Sequence, residues 1–209
     1  MERLRQILAL PLYASVAWLV WVVSRQAGLE GAALVLAGLV LIGVAAWLHH
    51  GTRLASPRWR RSAVAVSLGC VAAAIAIGPL AASSASSATA IAAPSGARWE
   101  PFTPERLTEL RARGVPVFVN ATAAWCITCL VNERVALHSQ AVAEAFTKQG
   151  VVYLKADWTN KSSQIAAFLE SFGRSGVPLY VVYGRNSGKP QLLPQILSER
   201  TLIEAVETL

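Results

Sequence analysis

Two cysteines three residues apart are the part of this sequence best suited to chemistry. Cys126 and Cys129 lie in the segment WCITC, which follows the apolar run VFVN and opens a predicted helix. The N–H groups and positive dipole end of a helix stabilise a thiolate, so Cys126 is predicted to be the attacking thiol. Cys129, one turn further in, is predicted to resolve the mixed disulfide formed on Cys126. The pattern predicts thiol–disulfide exchange, with the redox-active disulfide itself as the only redox group and no separate cofactor.

A close pair of cysteines also has other uses, which the sequence leaves open. The pair could be buried and inert, or it could form half of a zinc site, although zinc needs about four ligands and the last 111 residues add only His138. Cu(I) suits soft thiolates, so a copper-binding module is a further alternative. The third cysteine, Cys70, lies in an apolar stretch and is predicted to be a small packing residue.

A proline about fifty residues after the pair strengthens the redox interpretation. Pro178 follows Gly176 and Val177 at the start of a predicted strand. Proline is disfavoured in a central strand, so its position indicates a special bend, plausibly with a cis peptide bond. An ordinary turn proline is the alternative. Trp125, directly before Cys126, is a further candidate site residue.

The elements that position these residues form a pattern of strands alternating with helices from about residue 99 to residue 209. Such a pattern, ending in a hairpin and a last helix, predicts an α/β fold with a mixed central sheet flanked by helices. Strands are predicted at Val115–Asn120, Val151–Ala156, Leu179–Tyr183 and Gln191–Leu193, with a turn at Asn186-Ser187-Gly188. Helices are predicted from Thr103-Pro104 to Gly114, from Cys126 to about Leu137, after Ser139, after Asn160 and after Ser198.

The first 82 residues have a different composition. Apolar stretches at 7–23, 31–48 and 63–82 each have about the length of a membrane-spanning helix. Residues 1–98 hold eight Arg and two Glu, a net charge of +6, whereas the rest of the chain has a net charge of +1. Basic loops beside apolar spans are topology signals, so this charge does not indicate nucleic-acid binding. Residues 83–98 are mostly small and uncharged and are predicted to be a flexible linker.

Arginine counts predict the orientation of the three spans. Four arginines lie in the loop between spans two and three (Arg53, Arg58, Arg60 and Arg61), whereas Arg25 alone lies between spans one and two. The positive-inside rule places the N-terminus and the arginine-rich loop in the cytoplasm. Three crossings then place the C-terminal domain outside, which in a bacterium is the periplasm. The predicted location is therefore the bacterial inner membrane, crossed several times.

The segments VFVNATAAWCITC, VVYLKADWT and FGRSGVPLY, in this order, resemble the thioredoxin superfamily. Together with the spans and linker, the chain resembles the C-terminal portion of the DsbD family of thiol:disulfide interchange proteins, its last three transmembrane helices and its periplasmic domain. The resemblance implies a thioredoxin-like fold preceded by three transmembrane α-helices. It also implies that Cys126 and Cys129 are the redox pair and that Pro178 is the cis-proline facing them.

The resemblance further implies partners and an acid–base group. A dithiol in an upstream membrane domain would donate electrons, and periplasmic thioredoxin-like or disulfide-isomerase proteins would accept them. Many thioredoxin-like domains hold a buried carboxylate six residues before the first cysteine, where this chain has Asn120. Glu133, four residues after Cys129, matches an acidic position in the family domain; an exposed surface glutamate is the alternative. Asp157 and Trp158 are weaker candidates to line the site.

The chain also departs from the family, which has about twice as many transmembrane helices and a second cysteine pair within them. The chain is therefore expected to be part of a DsbD-like relay, as a fragment of a longer protein or a truncated reading frame. A self-contained membrane-anchored thioredoxin for cytochrome c maturation is an alternative within the enzymes. A copper-binding periplasmic module is the alternative from another class.

Overall fold

The structure of this chain is a computed structural model that describes residues 2–51, 65–66, 68–69, 72, 97–185 and 188–209. The chain divides into two compact units, Met1–Thr89 and Ala90–Leu209. Cys70, the arginine-rich loop, most of the third predicted span and nearly all of the linker lie outside the described residues. So do Asn186 and Ser187 of the predicted turn.

The first unit contains one long apolar helix, α1, from Glu2 to Gly51. Its stretch Ile7–Trp47 is long and apolar enough to cross a membrane, judged by length and composition. Helical geometry is interrupted at Gly28, whose φ of 71° is a conformation that glycine adopts without a steric penalty. The sequence predicts two separate spans here. The described residues instead form one helix, with a break at Gly28 between the two predicted spans. The prediction of three spans is not confirmed.

The second unit is an α/β domain, as the alternating pattern predicts. Its strands are β1 (Trp99–Pro101), β2 (Val117–Thr122), β3 (Val152–Asp157), β4 (Leu179–Tyr183) and β5 (Gln191–Leu192). Its α-helices are α2 (Pro104–Ala112), α3 (Ile127–Asn132), α4 (Gln140–Gln149), α5 (Ser163–Ser171) and α6 (Glu199–Glu207). A π-helical turn, Glu133–Leu137, continues α3.

The five strands form one mixed sheet in the order β1-β3-β2-β4-β5. Strand β2 pairs in parallel with β3 and antiparallel with β4, so it lies at the centre of the sheet. Every residue of β2 is buried, as expected for a strand covered on both faces. The predicted mixed sheet is confirmed.

Helices cover both faces of this sheet, and the side chains of β2 alternate between two cores. Val117, Val119 and Ala121 face a core shared with α2 and α5. Phe118 faces the other core, which is shared with the π-helical turn, α4 and α6 and includes stacked or edge-on contacts with Phe146, Tyr153 and Tyr180. The second face is the one that carries the helix of the cysteines.

The helices begin at the predicted N-cap residues, with one exception. Thr103 and Ser198 accept backbone N–H bonds from residues three further on, as predicted for N-caps. The prediction that Asn160 caps α5 is wrong, since the N-cap is Ser162. Lys161 between them has a positive φ of 29°, so the helix can begin only after it.

Candidate active site

The two cysteines form a disulfide at the start of α3, with their Cα atoms 5.2 Å apart. Cys126 is the N-cap of α3, and its sulfur accepts the backbone N–H of Cys129 at 3.2 Å. Cys126 keeps 8% of its surface exposed, whereas Cys129 is completely buried. A donor is therefore already directed at the Cys126 sulfur, and of the two cysteines only Cys126 has any exposed surface.

The disulfide lies where the carboxyl ends of β2 and β3 meet. Thr122 ends β2 opposite Asp157, which ends β3, and the Trp158 N–H donates to the Thr122 carbonyl at 2.8 Å. The chain segments that leave the two strands consequently run side by side. One of them leads into Cys126, and the other carries Asp157 and Trp158, which the sequence offered as weak candidates.

Pro178 is reached through a cis peptide bond from Val177, as its position at the start of β4 predicts. Val177 packs against the cluster of Ala123 and the two cysteines, together with Trp125. The structure therefore brings the residue preceding the cis-proline, the tryptophan and the cysteine pair into one cluster. The Trp125 ring also lies 6.4 Å from the ring of Trp158.

Glu133 lies in the first turn of the π helix, four residues beyond Cys129. Its side chain is 16% exposed, and Lys155 Nζ lies 2.8 Å from its Oε1. That oxygen is buried and has no hydrogen bond of regular direction to the described residues, so the contact is an ion pair rather than a directed hydrogen bond. The structure does not support the alternative of a freely solvated glutamate. Whether Glu133 accepts a proton remains a prediction.

Asn120 occupies the position six residues before Cys126, completely buried on the same face of the sheet. Its side-chain NH₂ donates to the Tyr153 hydroxyl at 2.7 Å, while its Oδ1 has no partner among the described residues. Burial raises the pKa of Tyr153 above its ordinary range, and the nearby negative charge of Glu133 adds to this. The carboxylate near Asn120 and Tyr153 thus comes from Glu133 on the π-helical turn and not from β2.

Three residues that sequence reasoning did not select also belong to this site. Lys155 faces Asn120 across β2 and β3, a register that becomes visible only once the two strands are paired. Thr159 accepts hydrogen bonds from both Ala124 and Trp125. Asn132 is buried and bonds to the Tyr180 hydroxyl at 2.9 Å. A polar residue on an otherwise apolar strand or helix face was the available signal for Lys155 and Asn132.

The described residues contain no group of three His, Cys, Asp or Glu side chains that could hold a metal ion. His138 ends the π-helical turn, where its N–H bonds to the Glu133 carbonyl at 2.8 Å. It is exposed there.

Comparisons with known proteins agree with this architecture. Residues 98–184 match the family model described as thioredoxin-like. No curated protein matches the sequence.

Similar solved structures cover the same half of the chain. The C-terminal domain of Neisseria meningitidis DsbD in its reduced form is 24% identical, with a TM-score of 0.41, over 48% of this chain and 87% of that one. Its oxidised form is 22% identical, with a TM-score of 0.42, over 52% and 98%. A thioredoxin from Thermus thermophilus is 17% identical, with a TM-score of 0.44, over 54% and 86%.

The mixed sheet, the family match and the disulfide at a helix start lead to the same assignment. The C-terminal half of this chain contains a thioredoxin-like domain whose Cys126–Cys129 pair supports thiol–disulfide oxidoreductase activity.

Proposed function

We propose that this protein is a membrane-anchored protein-disulfide reductase that passes electrons through Cys126 and Cys129 to periplasmic proteins. The observation that carries the proposal is the asymmetry of the pair. The Cys126 sulfur accepts the Cys129 N–H and Cys126 keeps 8% of its surface exposed, whereas Cys129, one turn further along the helix, is completely buried. A reductase needs one accessible nucleophile and one protected resolving thiol.

The proposed reaction has two exchange steps. The Cys126 thiolate attacks one sulfur of a target disulfide, that S–S bond breaks, and the other target sulfur leaves as a thiolate. Cys129 then loses its proton and attacks the Cys126 sulfur, which releases the second target thiolate. The Cys126–Cys129 bond forms, and the target gains two electrons and, in water, two protons. Glu133 is proposed to take the Cys129 proton in the second step.

The membrane anchor is proposed from the length and break of α1. Its 41-residue apolar stretch would rise about 60 Å, twice the thickness of a hydrocarbon core. Two spans meeting at the Gly28 break suit a bilayer better than one helix of this length. With the third predicted span, the C-terminal domain would lie in the periplasm.

The electron donor is proposed to be a dithiol in a separate or upstream membrane domain, as in a DsbD-like relay. Cys70 is the one cysteine of residues 1–98, and a single thiol cannot carry the two electrons of a dithiol by intramolecular exchange. Periplasmic thioredoxin-like or disulfide-isomerase proteins are the proposed acceptors. Service to cytochrome c maturation would use the same chemistry with a different acceptor.

Insulin reduction tests the proposed function. The full chain in detergent, kept reduced by dithiothreitol, should accelerate insulin precipitation, and Cys126→Ser should abolish the acceleration. Cys70→Ser is the matched control and should act like the wild type. A wild-type chain no faster than dithiothreitol alone would contradict the proposal. A tight 1:1 Cu(I) complex in such an inactive chain would favour the copper-binding alternative.

A further inference from the structure

A tight turn leads the chain from β2 into Cys126. The Cys126 N–H donates to the Ala123 carbonyl at 3.0 Å, which leaves Ala124 and Trp125 as the two central residues of the turn. The position of the Cys126 sulfur relative to the Cys129 N–H depends on how firmly this turn is held.

Thr159 contacts both central residues of that turn. The Ala124 N–H donates to Thr159 Oγ1 at 2.8 Å, and the Trp125 indole N–H donates to the Thr159 carbonyl at 3.2 Å. Thr159 is nearly buried, so these bonds are shielded from competing water. A single residue of the neighbouring segment therefore holds the backbone of one turn residue and the side chain of the next.

Asp157 sets the direction of the Thr159 hydroxyl. Its Oδ1 accepts the Thr159 backbone N–H at 2.9 Å and also the Thr159 hydroxyl. A threonine hydroxyl has one proton to donate, so once that proton points at Asp157 the oxygen lone pairs are left for the Ala124 N–H. Asp157 itself is fixed at the end of β3 by its pairing with Thr122.

We propose that Thr159, oriented by Asp157, is a positioning residue that holds the Cys126 turn while the disulfide opens and closes. This inference rests on the proposed exchange at Cys126. None of the four hydrogen bonds involves a cysteine sulfur, so they do not require a closed disulfide. With the turn held, the Cys126 sulfur stays beside the Cys129 N–H that stabilises its thiolate. With the turn released, the thiolate spends less time at that donor and reacts more slowly.

The experiment measures the rate at which iodoacetamide alkylates Cys126 in the reduced full chain at pH 7, in detergent. Thr159→Val keeps the side-chain shape but removes the hydroxyl, and it should slow alkylation roughly fivefold, the effect of one net hydrogen bond. Thr159→Ser restores the hydroxyl and should stay within about twofold of the wild type, since the Oγ bonds are retained. Trp125→Phe, which removes only the indole N–H, should also slow the reaction.

Two control variants separate positioning from general destabilisation. Thr108→Val removes a hydroxyl that bonds the Pro104 carbonyl in α2, and Leu110→Ala opens a cavity in the core away from the cysteines. Both should alkylate at the wild-type rate. An unchanged rate in Thr159→Val, an equal loss in Thr159→Ser, or an equal loss in Leu110→Ala would overturn the proposal. If Thr159→Val does not fold, an unchanged rate in Trp125→Phe overturns it instead.

The alkylation rate does not depend on the reductase function. A wild-type chain that fails to reduce insulin but shows the expected alkylation pattern would contradict the proposed function and keep the positioning role. A chain that reduces insulin but lacks the alkylation pattern would support the proposed function and contradict the positioning role of Thr159.

Discussion

At the scale of single residues, the two cysteines differ in environment more than in chemistry. Cys126 ends a held turn and receives a backbone N–H, whereas Cys129 is enclosed by α3 and the sheet. Because Cys129 has no exposed surface, we expect a neighbouring group to take its proton. Glu133 is the nearest carboxylate along the helix, and Lys155 keeps its negative charge paired.

The first prediction concerns this carboxylate. Glu133→Gln should slow the resolution step because the amide cannot accept the Cys129 proton, while the first attack by Cys126 should hardly change. Rapid-mixing kinetics with a chromogenic disulfide separate the two steps, and a slowing of the second by about a hundredfold is expected for loss of one general base.

Glu144→Gln, an exposed change on α4, is the matched control and should leave both steps unaltered. Equal slowing of both steps in Glu133→Gln would show that the residue acts on Cys126, contrary to the prediction.

The sequence was sufficient to select Cys126, Cys129, Trp125 and Pro178, because each is a chemically unusual residue at a marked position. It was insufficient for Thr159 and Lys155, whose contacts arise only when β2 and β3 pair. A threonine after a strand has no distinctive spacing. The role proposed for Thr159 follows from its hydrogen bonds to Ala124 and Trp125, which the paired structure alone reveals.

At the scale of elements, one buried side chain forms several hydrogen bonds between the helix of the cysteines and the rest of the domain. Asn132 donates to the Tyr180 hydroxyl and to the Gln195 carbonyl at 2.7 Å, and its Oδ1 accepts the Leu197 N–H at 3.1 Å. It therefore joins the end of α3 to β4 and to the loop before α6.

The second prediction follows from these three bonds. Asn132→Ala leaves several buried polar groups without partners and should lower the free energy of unfolding by about 2–3 kcal/mol. Denaturant titration of the oxidised chain measures this loss, with the exposed Gln140→Ala as the control. A loss below about 0.5 kcal/mol, the usual range for surface changes, would show that the loop is held by other contacts.

The third prediction uses the buried tyrosine that Asn132 contacts. Burial raises the pKa of Tyr180 to about 12 from an ordinary value of 10.0, so above pH 10 the unfolded chain loses this proton before the folded chain does. Stability from this group is complete below pH 10 and is lost as the pH rises towards 12, by roughly 2–3 kcal/mol.

Unfolding of oxidised wild type and Tyr180→Phe at pH 9, 10 and 11 measures this loss. The variant should lose less stability across that range, because among the described tyrosines with a raised pKa only Tyr153 and Tyr183 remain to contribute. Parallel losses in the two proteins would contradict the prediction.

Local sequence patterns predicted some elements of the α/β domain with the correct boundaries. The apolar run Leu179–Tyr183 is β4 residue for residue, and Thr103-Pro104 starts α2. The π-helical turn after Asn132 was not predictable, since one extra residue per turn leaves no mark in a short amphipathic pattern. Strand β1 was missed because three residues, one of them proline, carry no period.

At the scale of the whole molecule, two units of different composition are joined in one chain. The first is apolar and basic, and the second is an α/β domain with a nearly balanced charge. Composition alone distinguishes the two units, because a long apolar helix and an α/β domain differ in their shares of apolar and charged residues. The number of spans is harder to predict, since a break such as Gly28 resembles any other glycine in an apolar run.

The fourth prediction is topological. The loop with four arginines between predicted spans two and three should be cytoplasmic and the thioredoxin-like domain periplasmic. Alkaline phosphatase fused after Leu209 should be active in a bacterial host, and β-galactosidase at the same position should be inactive. Replacing the four arginines with glutamine is expected to weaken the preference for this orientation. The opposite reporter pattern in the unaltered chain would contradict the orientation.

The proposed exchange depends on which cysteine holds the substrate, and trapping of mixed disulfides measures this directly. Cys129→Ser and Cys126→Ser chains, incubated with a disulfide-containing partner protein and quenched with acid, are compared on a non-reducing gel. Cys129→Ser should accumulate adducts that disappear on reduction, because Cys126 can attack but cannot be released. Cys126→Ser should show none, because Cys129 is buried, and both chains also carry Cys70→Ser so that no adduct forms there. Adducts with Cys126→Ser and their absence with Cys129→Ser would contradict the assignment of Cys126 as the nucleophile.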